Sequence, residues 1–265
     1  MNIMERRMYD LLKEMKKSYN LSGIKISFED EGLNMDQAQT ITSVAYKAGV
    51  SVSMKVGGAE AKRDIRDAKV LGVNKIVAPM IESTYALKKF TDAVSKIYTE
   101  DEMNDTFFMA NIETITGFKN AESMLASPYA QKLYGFVLGR TDFVGSLGEK
   151  KSFVNSEAMF KIASDFATMC KKANKKLFVG GNVNSESIEF FQRLDKIHLN
   201  GLETRNIIFD REVLYSTNVK TAIEKALNFE SLWLQAKDKN YETMLNEDKR
   251  RIEDIQSRLI DKQKQ

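Results

Sequence analysis

Apolar residues along this chain follow two rhythms: short continuous runs, and longer stretches spaced by three and four residues. The first suits buried strands and the second amphipathic helices. Residues 4–19 belong to the second kind, with Met8, Leu11, Leu12 and Met15 on one face. Residues 24–28 alternate as a short strand that runs into the acidic loop Glu29-Asp30-Glu31-Gly32. A helix is then predicted over 36–49, closed by Gly49, followed by a strand over 50–56 that Gly57-Gly58 turns. The pattern continues with a helix over 59–71, a strand over 75–78 stopped by Pro79, and a helix over 85–98. Two further apolar runs, 107–112 and 134–138, have strand length and composition. A long helix over 156–173, a strand over 176–179, a short helix over 185–194 capped by Asn184 or Ser185, and a last strand from Gly201 toward Phe209 complete the series.

Regular βα alternation predicts a parallel sheet covered by helices, here an α/β fold of the (β/α)8 TIM-barrel type. Seven strands are countable, one short of eight. The barrel is therefore expected to lack or modify its first strand, to stay open there, or to be closed by another segment. Two regions are expected: a barrel domain over 1–214 that includes the N-terminal helix, and a helical extension over 215–265. In the extension, Leu227, Leu234, Tyr241, Leu245, Ile252, Ile255 and Leu259 recur at coiled-coil spacing, interrupted by Ser231, Asp238 and Asp248. Such a stripe needs a partner: another subunit, an exchanged helix of a symmetry mate, or the barrel itself. A homo-oligomer through this helix is the expectation, with the terminal DKQKQ fraying.

Composition narrows the setting more than the chemistry. A hydrophobic share of 43% supports a substantial core. The net charge is +3, with basic residues spread along the chain, so nothing calls for nucleic acid or an anionic membrane. Cys170 is the single cysteine and has no internal disulfide partner, the N-terminus lacks a secretory apolar region, and no run approaches the ~20 residues of a bilayer span. A cytoplasmic protein is expected. Phosphate loops, Cys/His metal clusters and GxSxG elbows are lacking from the sequence. Gly57-Gly58 and Gly180-Gly181 suit tight βα turns.

The chemistry gathers after the two central strands. Each delivers an acid at or just past its C-terminal end, Glu113 and Asp142, and in a parallel barrel that rim assembles the active site. Two carboxylates with open positions suit Mg²⁺, which is often held by one or two carboxylates plus substrate and water. Read without further context, the same pair suits a helix-capping acid and a loop acid.

Ile112-Glu113-Thr114 with Gly117 and Asn120, then the run from Gly135 through Gly139-Arg140-Thr141-Asp142-Phe143 to Ser146-Leu147-Gly148, resemble the HpcH/HpaI aldolase and citrate lyase β-subunit family of phosphoenolpyruvate/pyruvate-binding barrels. Met54-Lys55-Val56-Gly57-Gly58 and Ala78-Pro79-Met80-Ile81-Glu82-Ser83 extend the resemblance, which spans roughly 23–210. It implies a divalent cation, Mg²⁺ or Mn²⁺, on Glu113 and Asp142, and a carbon–carbon lyase or aldolase that stabilises a pyruvate-type enolate of a 2-keto acid or related carboxylate. It also implies substrate contacts from Lys55, Glu82, Gly139, Arg140 and Thr141, and, in a citrate-lyase-like branch, a CoA thioester.

Two departures from the family pattern bear on this reading. Lys55 stands where the family has an arginine, keeping the charge but losing the two-pronged donor. It could bind a substrate carboxylate, pair with Glu29 or Glu31, or form a Schiff base. The family's loop histidine is replaced by acids, so Glu29 or Glu31 becomes the candidate base, a solvated acidic loop being the plainer alternative. The single histidine, His198, precedes the last strand and reads as structural. Arg140 could touch a carboxylate or phosphate, or pair with Glu113 or Glu203, and Glu203 and Arg205 would share the rim if the barrel closes. The departures also admit a barrel that binds or assembles without turnover, and a phosphoenolpyruvate-using enzyme of the same fold.

Overall fold

The structure is a computed structural model and describes residues 1–263. Residues 264 and 265, the end of the stretch expected to fray, lie outside it. Eight strands close a barrel in sequential order: β1 (Leu21–Ser27), β2 (Ser51–Lys55), β3 (Lys75–Ala78), β4 (Phe107–Ile112), β5 (Gly135–Gly139), β6 (Lys176–Gly180), β7 (Gly201–Glu203) and β8 (Ile207–Asp210). Helix α1 (Ile3–Ser18) precedes the barrel, and α2 (Met35–Lys47), α3 (Lys62–Leu71) and α4 (Thr84–Ile97) follow the first three strands. Short helices α5 (Glu100–Asp105), α6 (Ile115–Lys119), α7 (Ala121–Leu125), α8 (Pro128–Gln131) and α9 (Arg140–Ser146) flank the central strands. Then come α10 (Glu157–Lys172), α11 (Ile188–Asp195) and the long α12 (Val219–Gln263).

Local sequence fixes the helix starts. Asn2 with Glu5, and Asn34 with Gln37, form reciprocal capping boxes on α1 and α2, while Ser83 and Ser156 cap α4 and α10. Asn184 accepts from the Glu186 N–H, one of the two caps expected there.

The last strand differs from its expectation. Residues 201–210 form two strands, because the Thr204 N–H bonds the Ile207 carbonyl (2.8 Å) and the Ile207 N–H bonds the Thr204 hydroxyl (3.1 Å), folding the chain back on itself. β8 is therefore antiparallel to β7 and also to β1, with Leu21 opposite Phe209 and Ile24 opposite Ile207. The other pairings are parallel. The eighth strand that closes the barrel thus comes from the C-terminal side, and the 204–206 turn lands on the rim where the parallel strands end.

Strand alternation sorts the core into two parts. Val77, Met109, Val137, Phe178 and Ile208 form an apolar plug inside the barrel, separate from the larger core between strands and helices. On β4 the inward positions after Met109 are Asn111 and then Glu113, so the plug gives way to polar groups toward the C-terminal rim. Helix α1 buries Met8, Leu11, Leu12 and Met15, and packs against α2 and α12. Helix α12 buries Ala222, Ile223, Ala226, Phe229, Leu232, Trp233 and Ala236, so packing against the barrel continues well past residue 215. From Tyr241 through Leu259 the side chains are exposed. No described helix is long and apolar enough to cross a membrane.

Candidate active site at the C-terminal rim

A cavity of about 200 Å³ opens on the rim, lined among others by Lys55, Asn111, Glu113, Gly139, Thr141 and Asp142. A wider groove of about 810 Å³ lies at the opposite end, beside Phe107 and Tyr134, and holds no pair of carboxylates.

Glu113 is the most enclosed acid of the site, only 2% exposed. Its Oε1 accepts the Met80 N–H at 2.9 Å, and its Oε2 accepts the Asn111 amide at 2.5 Å and the Lys55 ammonium at 3.2 Å. Two backbone features make room for this. Met80 adopts a left-handed conformation (φ 49°), uncommon for a residue with a side chain, which aims its N–H at the carboxylate. At Gly139 a Cβ would stand 2.8 Å from Glu113 Oε2 and 2.9 Å from Glu113 Cβ, so β5 comes this close to β4 only without a side chain there. Burial raises the Glu113 pKa; the Lys55 charge and the Met80 N–H oppose that rise, and the neighbouring Asp142 adds to it.

Lys55 lies between two carboxylates, 3.0 Å from Glu29 Oε2 and 3.2 Å from Glu113 Oε2. Burial works against its charge, but Glu113 and Glu29 outweigh burial and hold its pKa above the ordinary lysine value. It is a cation, not the neutral amine that a Schiff base needs. Lys25 pairs with Glu203 at 2.9 Å, and Arg205 with Asp30 at 3.2 Å. Asp142, exposed in the first turn of α9, has no ion-pair partner among the described residues. Asn111 Oδ1 is buried without a hydrogen-bond partner. The amide orientation is fixed by its neighbour, since reversing it would set two acceptors against each other.

Several residues singled out in the sequence lie elsewhere. Arg140 is fully buried and does not face the cavity. Its guanidinium donates to the carbonyls of Gly180, Gly181 and Val154 and to Asn155 Oδ1, at 2.9 to 3.1 Å, between the rings of Phe190 and Phe191. Burial lowers its pKa to about 9, which leaves it charged at neutral pH. It pairs with neither Glu113 nor Glu203, and its donors serve β6 and the loops beside it instead of a substrate. Glu31 is likewise engaged: its carboxylate accepts from Asn206 Nδ2 (2.9 Å) and Trp233 Nε1 (3.2 Å) and lies 3.6 Å from Lys237, so it ties the β1 loop to α12 and not to Lys55. Glu82 accepts the Thr114 hydroxyl at the start of α6 and does not line the cavity. His198 Nε2 contacts the Lys175 carbonyl at 2.8 Å, away from the rim, as a structural histidine would. Gly139 and Thr141 line the cavity, and Glu29 reaches it through Lys55.

Nothing in the motifs of the sequence marks Asn111, Lys25 or Asp30 as part of the site. Asn111 was within reach even so, since on a strand the residue two before an inward acid shares its face. Lys25 was visible in the same way, as the polar residue between Ile24 and Ile26.

Whether a divalent cation fits can be judged from the donors. No cluster of three or more His, Cys, Asp or Glu side chains suited to a metal occurs among the described residues. Of the four acids lining the cavity, Asp30 and Glu203 are held by Arg205 and Lys25; Glu113, Asp142 and the unpartnered Asn111 Oδ1 make an all-oxygen set of the kind Mg²⁺ and Mn²⁺ accept with substrate and water completing the shell. The donor set fits.

Fold and site together define a class: an α/β barrel with a small carboxylate-bearing cavity at the C-terminal ends of its parallel strands. The chain belongs to the HpcH/HpaI aldolase/citrate lyase family, whose description matches residues 34–208. Members of this family typically depend on a metal and act on small keto acids. Among solved structures it is similar to an HpcH/HpaI aldolase from Desulfitobacterium hafniense DCB-2, with 14% identity, a TM-score of 0.59, and coverage of 73% of this chain and 80% of that one. The citrate synthase SbnG gives 14% identity, a TM-score of 0.58 and coverage of 84% and 90%. Macrophomate synthase gives 15%, 0.57, 73% and 72%. At these identities the likeness is one of fold. No curated protein matches the chain in sequence.

Proposed function

We infer that the protein is a divalent-metal-dependent carbon–carbon lyase or aldolase acting on a 2-keto acid or related carboxylate. The observation that carries this reading is the convergence of Glu113, Asp142 and the unpartnered Asn111 Oδ1 on one cavity, in a chain of a lyase family. Mg²⁺ or Mn²⁺ held by Glu113 and Asp142 would act as a Lewis acid for negative charge developing on the keto oxygen. The remaining work falls to the chain itself. Lys55 offers a cation to the substrate carboxylate or the growing enolate charge, in a cavity that shields it from bulk water. Glu29, 3.0 Å from Lys55, is the acid assigned to take a proton. It receives the hydroxyl proton of a 4-hydroxy-2-keto acid as the C3–C4 bond breaks to aldehyde and enolate, and returns that proton to C3 of the enolate to release the keto acid. Lys25 and Arg205, each neutralised by its own acid, also line the cavity, and an acceptor or a CoA thioester would approach past them.

The test is keto-acid release from a panel of 4-hydroxy-2-keto acids and citrate-type thioesters, with and without a chelator. Release that needs Mg²⁺ or Mn²⁺ and disappears in Glu29→Gln is expected; release unaffected by the chelator would overturn the metal-dependent reading. Assembly is part of the same proposal: the exposed stripe of Tyr241, Leu245, Ile252, Ile255 and Leu259 suits pairing with a second copy.

A further inference from the structure

Lys55 occupies a position that a cation on Glu113 would contest. Oε2 of Glu113 already takes the Asn111 amide and the Lys55 ammonium, which uses both of its lone pairs, whereas Oε1 takes only the Met80 N–H. A divalent ion coordinated by this carboxylate would meet a like charge that is 8% exposed and close against the same group. Lys55 has a second carboxylate at hand, Glu29 Oε2 at 3.0 Å, on the half-buried loop after β1.

We propose that the Lys55 ammonium is the resident counter-ion of Glu113, that a divalent cation enters by displacing it, and that Glu29 is the seat to which it withdraws. This rests on the reading of Glu113 and Asp142 as the cation's ligands. Before metal arrives, Lys55 neutralises a carboxylate that burial would otherwise leave uncompensated. When the cation takes over that task, Lys55 keeps a partner in Glu29, retains its charge, and turns to the substrate. An arginine would be a poorer occupant: its planar fork engages two acceptors in fixed directions, while a lysine's compact charge on a flexible stem moves between two carboxylates. Metal affinity and substrate affinity are thereby linked through one side chain.

The test is calorimetric titration with Mn²⁺ alone, at mildly alkaline pH so that Glu113 is ionised in every variant. Lys55→Met keeps the length of the stem and removes the charge, and it should bind Mn²⁺ about tenfold or more tightly than wild type. Glu29→Gln removes the alternative seat and should weaken Mn²⁺ binding several-fold. A scaffold role for Lys55 would give the opposite sign in the first variant, because loss of packing loosens the site. Lys55→Gln serves as the second variant should Lys55→Met fail to fold, with circular dichroism as the check. Equal or weaker binding in a folded Lys55 variant overturns the displacement while leaving the metal site standing. If wild type and both Lys55 variants all fail to bind Mn²⁺, the metal reading falls and the displacement with it.

Discussion

Glu113 has three donors, a buried carboxylate and a neighbour without a side chain, and each makes a separate demand on the sequence. Gly139→Ala should push Glu113 off its partners, costing about 1–3 kcal/mol in urea unfolding and abolishing Mn²⁺ binding in the same protein. For Lys55 the sign of the pH effect follows from its raised pKa. Stability from its ion pairs is fully present below the ordinary value of 10.5 and is lost as pH rises through the higher folded-state value. Wild type should therefore lose stability more steeply than Lys55→Met in alkaline unfolding, and parallel slopes would contradict the pairing. Glu113 and Asp142 were legible because a strand end and a motif both point at them. Arg140 was not: a charge two residues from Asp142 suggests a ligand contact, and sequence gives no sign of carbonyl oxygens from residues 154, 180 and 181 converging on it. Arg140→Met should cost about 3 kcal/mol or more, through carbonyls left unpaired, without any change in substrate chemistry being needed to explain it.

At the scale of elements, periodicity located α1–α4, α10, α11 and the parallel strands to within a few residues but not the short helices α5–α9, which are too brief to show a period; α1 (Ile3–Ser18) and β3 (Lys75–Ala78) show why the longer ones were legible, since their apolar spacing is unbroken and their ends are capped or stopped by Pro79. It missed the fold-back at 204–206, because two short apolar pieces separated by three residues read as one strand until the Thr204 hydroxyl is seen closing the turn. That hairpin supplies the eighth strand and sets Thr204 and Arg205 on the cavity. Helix α12 is two things in succession. Its first half is core, and Trp233→Phe, which removes the donor to Glu31 together with part of a buried ring, should cost about 1–3 kcal/mol by thermal or urea unfolding. Its second half extends from the barrel with an exposed stripe, and ending the chain after Tyr241 should leave the barrel's melting temperature nearly unchanged while shifting its sedimentation to a smaller species. An unchanged sedimentation coefficient per mass would remove α12 from the assembly.

For the whole molecule, barrel closure is what turns scattered charges into one site. Lys25, Lys55 and Arg205 come from β1, β2 and the 204–206 turn, and Asn111, Glu113 and Asp142 from β4, the residue after it and the start of α9; they share one cavity in the barrel that β8 closes by joining β7 to β1. Within the cavity the three cations each have an acid, leaving Asp142 unpaired, and that imbalance favours a bound cation over a polyanion arriving alone. The direct test is calorimetric titration of Mn²⁺ together with pyruvate or oxaloacetate into wild type, Glu113→Gln and Asp142→Asn. The expected result is that metal and keto acid bind together to wild type and that either substitution abolishes the joint binding. Joint binding that survives both substitutions, or a wild type that binds neither ligand, would contradict the carboxylate pair as the centre of the site.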